Sequence, residues 1–358
     1  MNTYDFVHPE GAQYEYNVIA TDMAGNMEKK LWANLQIQLA AGWNWISHNQ
    51  ANDLSAEKLQ TGDVNRVLTI DGELYRDPII GFTGNIGAVK AEEAIKVFTN
   101  APTSIAVSGI QASANEGISL KQGWNWIGCP LSDEIDISTA ITNAEEGDII
   151  TTLGGYAEYA DNGWTGDLTT LKPGTGYLYK SATAKSILYY DGVATVKANR
   201  TYAKRRYQDV APWTVNVHKY PNMMCITAEL YNGNILVGED DYYIAAFAGE
   251  ECRGVGKFID GKIFLSVYGE KSEPIVFKAV DKESGESFDI DTKLDFKADA
   301  VGSVKNPYQL QLGNATGISG IGEESAEGED AYNALGQKVK DTRRSGLYLY
   351  KGKKVLIK

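Results

Sequence analysis

The sequence predicts a mainly β chain: two tandem small β-rich modules, each with one short helix, then a β-sandwich and a C-terminal β-hairpin tail. Three observations predict it. First, Leu39-Ala-Ala-Gly-Trp-Asn-Trp-Ile46 returns as Leu120-Lys-Gln-Gly-Trp-Asn-Trp-Ile127, and the stretches that follow the two copies also correspond. Second, short β-rich runs between Tyr207 and Leu312 alternate with turn dipeptides such as Asn232-Gly233, Asp260-Gly261 and Ser284-Gly285, the spacing of a sandwich. Third, two alternating runs flank Lys351-Gly352 near the end of the chain.

Composition bounds the rest. A length of 358 residues predicts two or three domains at about 150 residues each. Lys and Arg number 34 against 47 Asp and Glu, a net charge of −13, which argues against a nucleic-acid partner because phosphates demand a basic face. No apolar run approaches the roughly 18–20 residues of a membrane span. Cys129, Cys225 and Cys252 are too few for a disulfide framework and have no metal-ligand spacing. A Cys225–Cys252 bridge and two reduced buried thiols are both open. No cofactor is implied.

In chain order, residues 1–33 come first. Tyr14, Tyr16, Val18 and Ala20 alternate as a half-buried strand, Asp22 to Asn26 turn, and a second strand follows from Leu31 to Leu39. The run Tyr14-Glu-Tyr-Asn-Val-Ile-Ala-Thr-Asp-Met-Ala-Gly-Asn26 resembles the last two strands of an immunoglobulin-like or fibronectin-type domain. Such a sandwich needs about 100 residues and seven strands. The expectation is therefore a C-terminal remnant, with an upstream part lost together with the signal peptide that Met1 to His8 does not supply.

Residues 34–115 and 116–198 form the two repeat modules. Asp53-Leu-Ser-Ala-Glu-Lys-Leu59 parallels Asp136-Ile-Ser-Thr-Ala-Ile141, each a short helix with Asp or Ser at the N-cap. Gly62-Asp63 matches Gly147-Asp148, and Gly81-Phe-Thr-Gly84 matches Gly163-Trp-Thr-Gly166. Of each tryptophan pair, one is expected in a small core while its neighbour covers an edge; a sugar-stacking platform is the competing reading. The stretch Tyr156 to Trp164 reads as an exposed loop in which Tyr156, Tyr159 and Trp164 are ligand-binding candidates, or as an ordinary hairpin with packed aromatics. Lys172-Pro-Gly-Thr-Gly-Tyr177 is a turn, whereas Lys90-Ala-Glu-Glu-Ala-Ile95 lacks Pro and Gly, so a gentler bend or a short helical turn is expected there.

A basic linker, 199–206, leads to the sandwich at 207–316. Asp281, Asp289, Asp291, Asp295 and Asp299 have no calcium-loop spacing and read as a solvated acidic edge. Gly249 to Val255, Ala298 to Ser303 and Asn306-Pro-Tyr308 together resemble β-sandwich modules of large secreted Bacteroidota proteins, and the Gly-Trp-Asn-Trp-Ile repeats resemble modules of the same kind of protein. The sandwich is thereby expected to be immunoglobulin-like or jelly-roll.

After the acidic Gly-rich linker 317–330, residues 331–358 carry eight basic residues against Asp341 alone. Tyr332-Asn-Ala-Leu-Gly-Gln-Lys-Val339, then Gly346-Leu347-Tyr348, then Gly352-Lys353-Lys354-Val355 and a terminal Lys resemble the C-terminal sorting domain of the type IX secretion system of Bacteroidota. The resemblance implies export by that machinery and a secreted or outer-surface location.

Nothing in the sequence assembles a catalytic set. His8, His48 and His218 lie in three modules, and no Gly-x-Ser-x-Gly elbow occurs. The reading is a non-catalytic modular segment acting in adhesion or display, with a glycan or a host or extracellular protein as ligand. The alternative is a set of accessory polysaccharide-binding modules of a larger secreted hydrolase or protease.

Overall fold

The computed structural model describes residues 32–112, 117–187, 211–239 and 241–315, with short strands at 331–333, 338–339, 346–350 and 353–357. The linkers 199–206 and 317–330, and all of 1–33 except the backbone of Trp32 and Ala33, lie outside these residues. The chain divides into two compact units, 1–314 and 315–358.

The duplication read in the sequence is a duplication of topology. In the first copy a five-stranded antiparallel sheet has the order Gly42–Ile46, Ile95–Thr99, Val64–Leu68, Glu73–Asp77, Gly81–Gly84. In the second the order is Gly123–Ile127, Tyr177–Ser181, Ile149–Thr152, Gly155–Ala160, Gly163–Gly166. A two-stranded ribbon covers one face in each: Trp32–Leu39 with Thr103–Ile110, and Ile118–Leu120 with Lys185–Ile187. A one-turn helix closes the layer, Ala56–Leu59 in one copy and Ile137–Ala140 in the other.

Alternation builds each core between sheet, ribbon and helix. Ile46, Val67, Leu74 and Val97 meet Ile37, Ile105 and Leu59 in the first copy. Ile127, Ile150, Ala157 and Tyr179 meet Leu120, Ile187 and Ile137 in the second. The helix caps align Ser55 with Asp136, two residues away from the Asp53–Asp136 match read in the sequence. Asp136 accepts a 2.9 Å bond from the Ser138 N–H, whereas Ser55 makes no side-chain cap.

Gly-Trp-Asn-Trp-Ile is explained position by position. Gly42 and Gly123 have φ of 99° and 90°, a conformation that disfavours a Cβ. The asparagine amide closes the turn: Asn44 accepts from the Ala40 N–H at 2.9 Å and donates to its carbonyl at 2.8 Å, and Asn125 repeats both distances with Lys121. Ile46 and Ile127 enter the module cores. The tryptophans correct the expectation. Residues two apart on a strand share a face, so Trp43 and Trp45 both lie on the face away from their own module core, as do Trp124 and Trp126.

That outer face is where the modules join. Trp45, Ile149, Leu153 and Tyr156 form one buried cluster with Met223, Cys225, Phe264 and Tyr268. The two copies also grip each other reciprocally. Ile46 bridges Thr175 of the second copy, and Ile127 bridges Glu93 of the first. Ser47 donates to the Gly174 carbonyl at 3.2 Å, and Gly128 donates to the Glu92 carbonyl at 2.8 Å. The contact is therefore a pseudo-twofold one, the same elements serving both sides. Of the two expectations at Lys90–Glu93 the gentler bend does not occur: the Glu93 N–H closes a single turn on the Lys90 carbonyl at 3.1 Å, matching Thr175 N–H to Lys172 at 3.2 Å.

The third part of this unit is a nearly closed ten-stranded sheet. Its order is Glu251–Val255, Tyr242–Ala248, Pro274–Asp281, Ser287–Asp295, Tyr308–Ala315, Asn222–Asn232, Lys262–Gly269, Lys257–Ile259. Ile235–Leu236 and Ala300–Val301 pair with the Asn222–Asn232 strand, the latter in parallel. Ile226, Leu265, Ile244, Phe277 and Ile290 fill the space between the layers. No Cys225–Cys252 bridge exists: all three cysteines are free, Cys129 and Cys225 buried and Cys252 half-buried. Among the described residues no helix is long and apolar enough to cross a membrane.

The second unit is a small antiparallel sheet ordered Lys338–Val339, Ala331–Asn333, Gly346–Tyr350, Lys353–Ile357. Leu347 pairs with Leu356 and Tyr348 with Val355. Gly346, Leu347, Tyr348, Lys353, Lys354 and Val355 of the sorting pattern thus lie on one hairpin; Gly352 lies outside the described residues.

Candidate functional site: two equivalent outer faces

The registers define one row of residues across each outer face. In the first copy it runs Trp43, Phe98, Arg66, Tyr75. In the second it runs Trp124, Lys180, Ile149, Glu158. The two rows are equivalent in position and different in use.

The second copy's face is occupied by the sandwich. Asp299 accepts from the Trp124 indole N–H at 3.0 Å and from the Lys180 ammonium at 2.7 Å. Desolvation opposes the Asp299 charge, but the Lys180 and Trp124 bonds prevail and hold its carboxyl far below the usual carboxylate range. Glu158 accepts from the Val304 N–H at 2.9 Å. Burial raises the Glu158 pKa, and the bond from Val304 opposes that shift. Asp299 is accordingly a seam residue. The solvated-edge reading fits the exposed Asp289, Asp291 and Asp295, while Asp281 caps its own turn through the Glu283 and Ser284 N–H groups.

The three residues singled out in the sequence do not share a face. Tyr156 is 1% exposed, tilted against Phe264, and its hydroxyl lies 2.9 Å from that of Thr227. Tyr159 and Trp164 are half-buried on the opposite side, their rings edge-to-face at 5.4 Å, with Trp164 packed on the module core. The segment is a hairpin, Asp161 and Asn162 making its two-residue turn at φ of 51° and 63°. The first copy places Arg76 and Phe82 at the matching positions, the guanidinium carbon 4.5 Å from the ring centroid.

The first copy's face forms an open cleft of about 320 Å³ lined by Trp43, Asn65, Arg66, Tyr75, Arg76 and Phe98. The elements that place them are the strands of its sheet, with a bulge between Val64 and Arg66 that turns Arg66 outward. Trp43 is only 6% exposed, edge-to-face with Phe98 and beneath Arg66, whereas Tyr75 is 45% exposed. Sequence reading missed this cleft. The sequence matches do not reveal it, because the bulge before Arg66 shifts the register and sets Arg66 against Ile149 and Tyr75 against Glu158 only in the structure.

A buried cation marks the seam between the faces. Lys96 is 3% exposed, its ammonium 4.7 Å from the Trp45 ring and 4.5 Å from the Trp126 ring, and it donates to Asn222 Oδ1 at 2.9 Å. Burial pushes its pKa down to about 7, while the two indole faces favour the charged form. Among the described residues no group of three or more His, Cys, Asp or Glu side chains converges to hold a metal. No family model matches the chain, and no curated protein or solved structure matches it.

Proposed function

We propose that this chain is a non-catalytic modular segment of a secreted or cell-surface bacterial protein, acting in adhesion or display, with residues 331–358 as its export signal. One pairing carries the reading. A compact unit of three fused parts keeps one aromatic and arginine-lined face open, and a separate C-terminal unit is a sheet around the sorting pattern. Its partners are the type IX secretion machinery, for the tail, and an extracellular ligand, for the open face. The fused core supports a display role, because Trp45, Tyr156 and Phe264 from three parts of the chain share one cluster and so hold the open face in a fixed place.

The test is export. Residues 317–358 are fused behind a signal peptide and a reporter in a Bacteroidota host, with and without the secretion machinery. Reporter on the surface or in the medium only when the machinery is present is the expected result. Periplasmic retention in both strains would overturn the export reading.

A further inference from the structure

The internal repeat supplies its own control for what an outer face can bind. In the second copy the row Trp124–Lys180–Ile149–Glu158 is covered by another β-domain, and its best-defined polar contact is a carboxylate, Asp299, held by an indole N–H at 3.0 Å and an ammonium at 2.7 Å. In the first copy His218 meets the equivalent row at the Trp43 main chain, its carbonyl accepting from the Trp43 N–H at 2.6 Å, while the Arg66 side chain and Tyr75 stay exposed. Its donors stand beside two acceptor groups, the Asn65 side-chain oxygen and the Glu73 carboxylate. The Trp43 indole N–H and the Tyr75 hydroxyl have no partner among the described residues. Arg66 uses only Nε, on Glu73 at 2.5 Å, and Arg76 uses Nε and one terminal nitrogen on the carbonyls of Val64 and Gly62. Among the described residues the Arg66 guanidinium keeps both terminal nitrogens free, the fork that a carboxylate fits, whereas Arg76 turns to the opposite face over Phe82.

The aromatic arrangement selects among anions. A sugar needs an exposed ring face to stack on, but Trp43 is 6% exposed and has Arg66 above it, 5.9 Å from the ring centroid to the guanidinium carbon. What the cleft offers instead is a set of donors over a packed aromatic floor, which is the setting in which the second copy receives a protein carboxylate. We propose that the open face of the first copy is a docking site for an acidic polypeptide segment of a partner protein, whose carboxylate pairs with Arg66 beside Trp43 and Tyr75. This deepens the adhesion reading by naming the ligand class, and it stands or falls independently of the tail.

The probe is a fluorescein-labelled hexaglutamate peptide titrated into the full chain at low salt and followed by fluorescence anisotropy. Arg66→Ala and Tyr75→Ala each weaken binding by about ten-fold, and both side chains are exposed enough for the variants to fold, which melting curves check. Glu73→Gln releases Arg66 and tightens binding. Lys121→Ala, on the exposed surface of the other copy, leaves it unchanged. Polygalacturonate at equal carboxylate concentration competes poorly. Binding that survives Arg66→Ala and Tyr75→Ala, or no binding of the peptide at all, would overturn the site. Arg66-dependent binding that prefers polygalacturonate would overturn the polypeptide assignment in favour of an acidic glycan.

Discussion

Replacing Lys96 by Leu puts into the first copy the residue that the second copy carries at the equivalent position, Leu178. In the folded chain burial brings the Lys96 ammonium down to about 7, whereas in the unfolded chain it titrates near 10.4. Between these values the unfolded state binds more protons, so stability rises with pH; below about 7 both states are charged and the folded state bears the full cost of the buried cation. Each pH unit inside the window is worth about 1.4 kcal/mol. The Lys96→Leu chain lacks this proton linkage in both states, and all other groups titrate alike. The stability of wild type relative to the variant should therefore climb by about 2 kcal/mol between about pH 7.5 and 9. The two indole faces stabilise the ammonium and shift the lower edge of the window upward, which lowers that figure without changing its sign. Urea denaturation of both chains at about pH 6, 7.5 and 9 measures it. Near pH 6 the variant should be at least as stable as wild type, since an aliphatic side chain commonly replaces a buried charge without loss. A gap between the two chains that stays constant within about 0.5 kcal/mol across this range would refute the linkage argument.

Three further outcomes follow from the packing. Asp148 is fully buried and accepts from Tyr179 at 2.6 Å, from the Ala182 and Glu145 N–H groups at 2.8 Å, and from Lys185. Asp148→Ala leaves Lys185 only the longer ion pair to Glu145, at 3.6 Å, and the Tyr179 hydroxyl without its acceptor; it should cost about 3 kcal/mol, read as a lowered melting temperature. Gly128→Ala would set a Cβ 1.9 Å from the Ala91 carbonyl oxygen, across the contact between the copies. A loss of at least 1–3 kcal/mol is expected, roughly, while Gly87→Ala, which meets nothing within 4 Å, is the control. Burial pushes the Cys129 and Cys225 thiols up to about 12, so a thiol reagent at about pH 8 should label half-buried Cys252 first. Labelling of the other two should track unfolding, and equal rates for all three would contradict their placement.

What the sequence made legible was whatever each residue does locally. Gly42 and Asn44 shape a turn through their own backbone neighbourhood, and their recurrence at Gly123 and Asn125 exposed the duplication. Strands followed from alternation. The faces were harder. Trp43 and Trp45 are two apart and share a side, and what that side meets is decided far along the chain: the Trp45 indole donates to Pro221 at 3.2 Å, and Tyr156 reaches Thr227. Asp299 looked like one more acid on an exposed strand edge, because Trp124 and Lys180 are far from it in sequence. The Lys90–Glu93 turn lacks Pro and Gly, yet it forms because Glu93 accepts from the Lys90 N–H at 3.0 Å and the second copy's Ile127 bridges to it. Tertiary contacts supplied there what turn residues supply at Lys172.

Covalent linkage of the copies has a consequence that separate chains could not share. In a symmetric dimer of one module, every residue near the axis is present twice, so a lysine at position 96 would bring a second ammonium to the same pair of indoles. Like charges at that spacing in a dry seam would repel strongly. Tandem fusion breaks the symmetry: one copy keeps Lys96, the other keeps Leu178, and a single cation rests between Trp45 and Trp126. The same freedom lets one copy spend its outer face on the sandwich while its twin holds the matching face open.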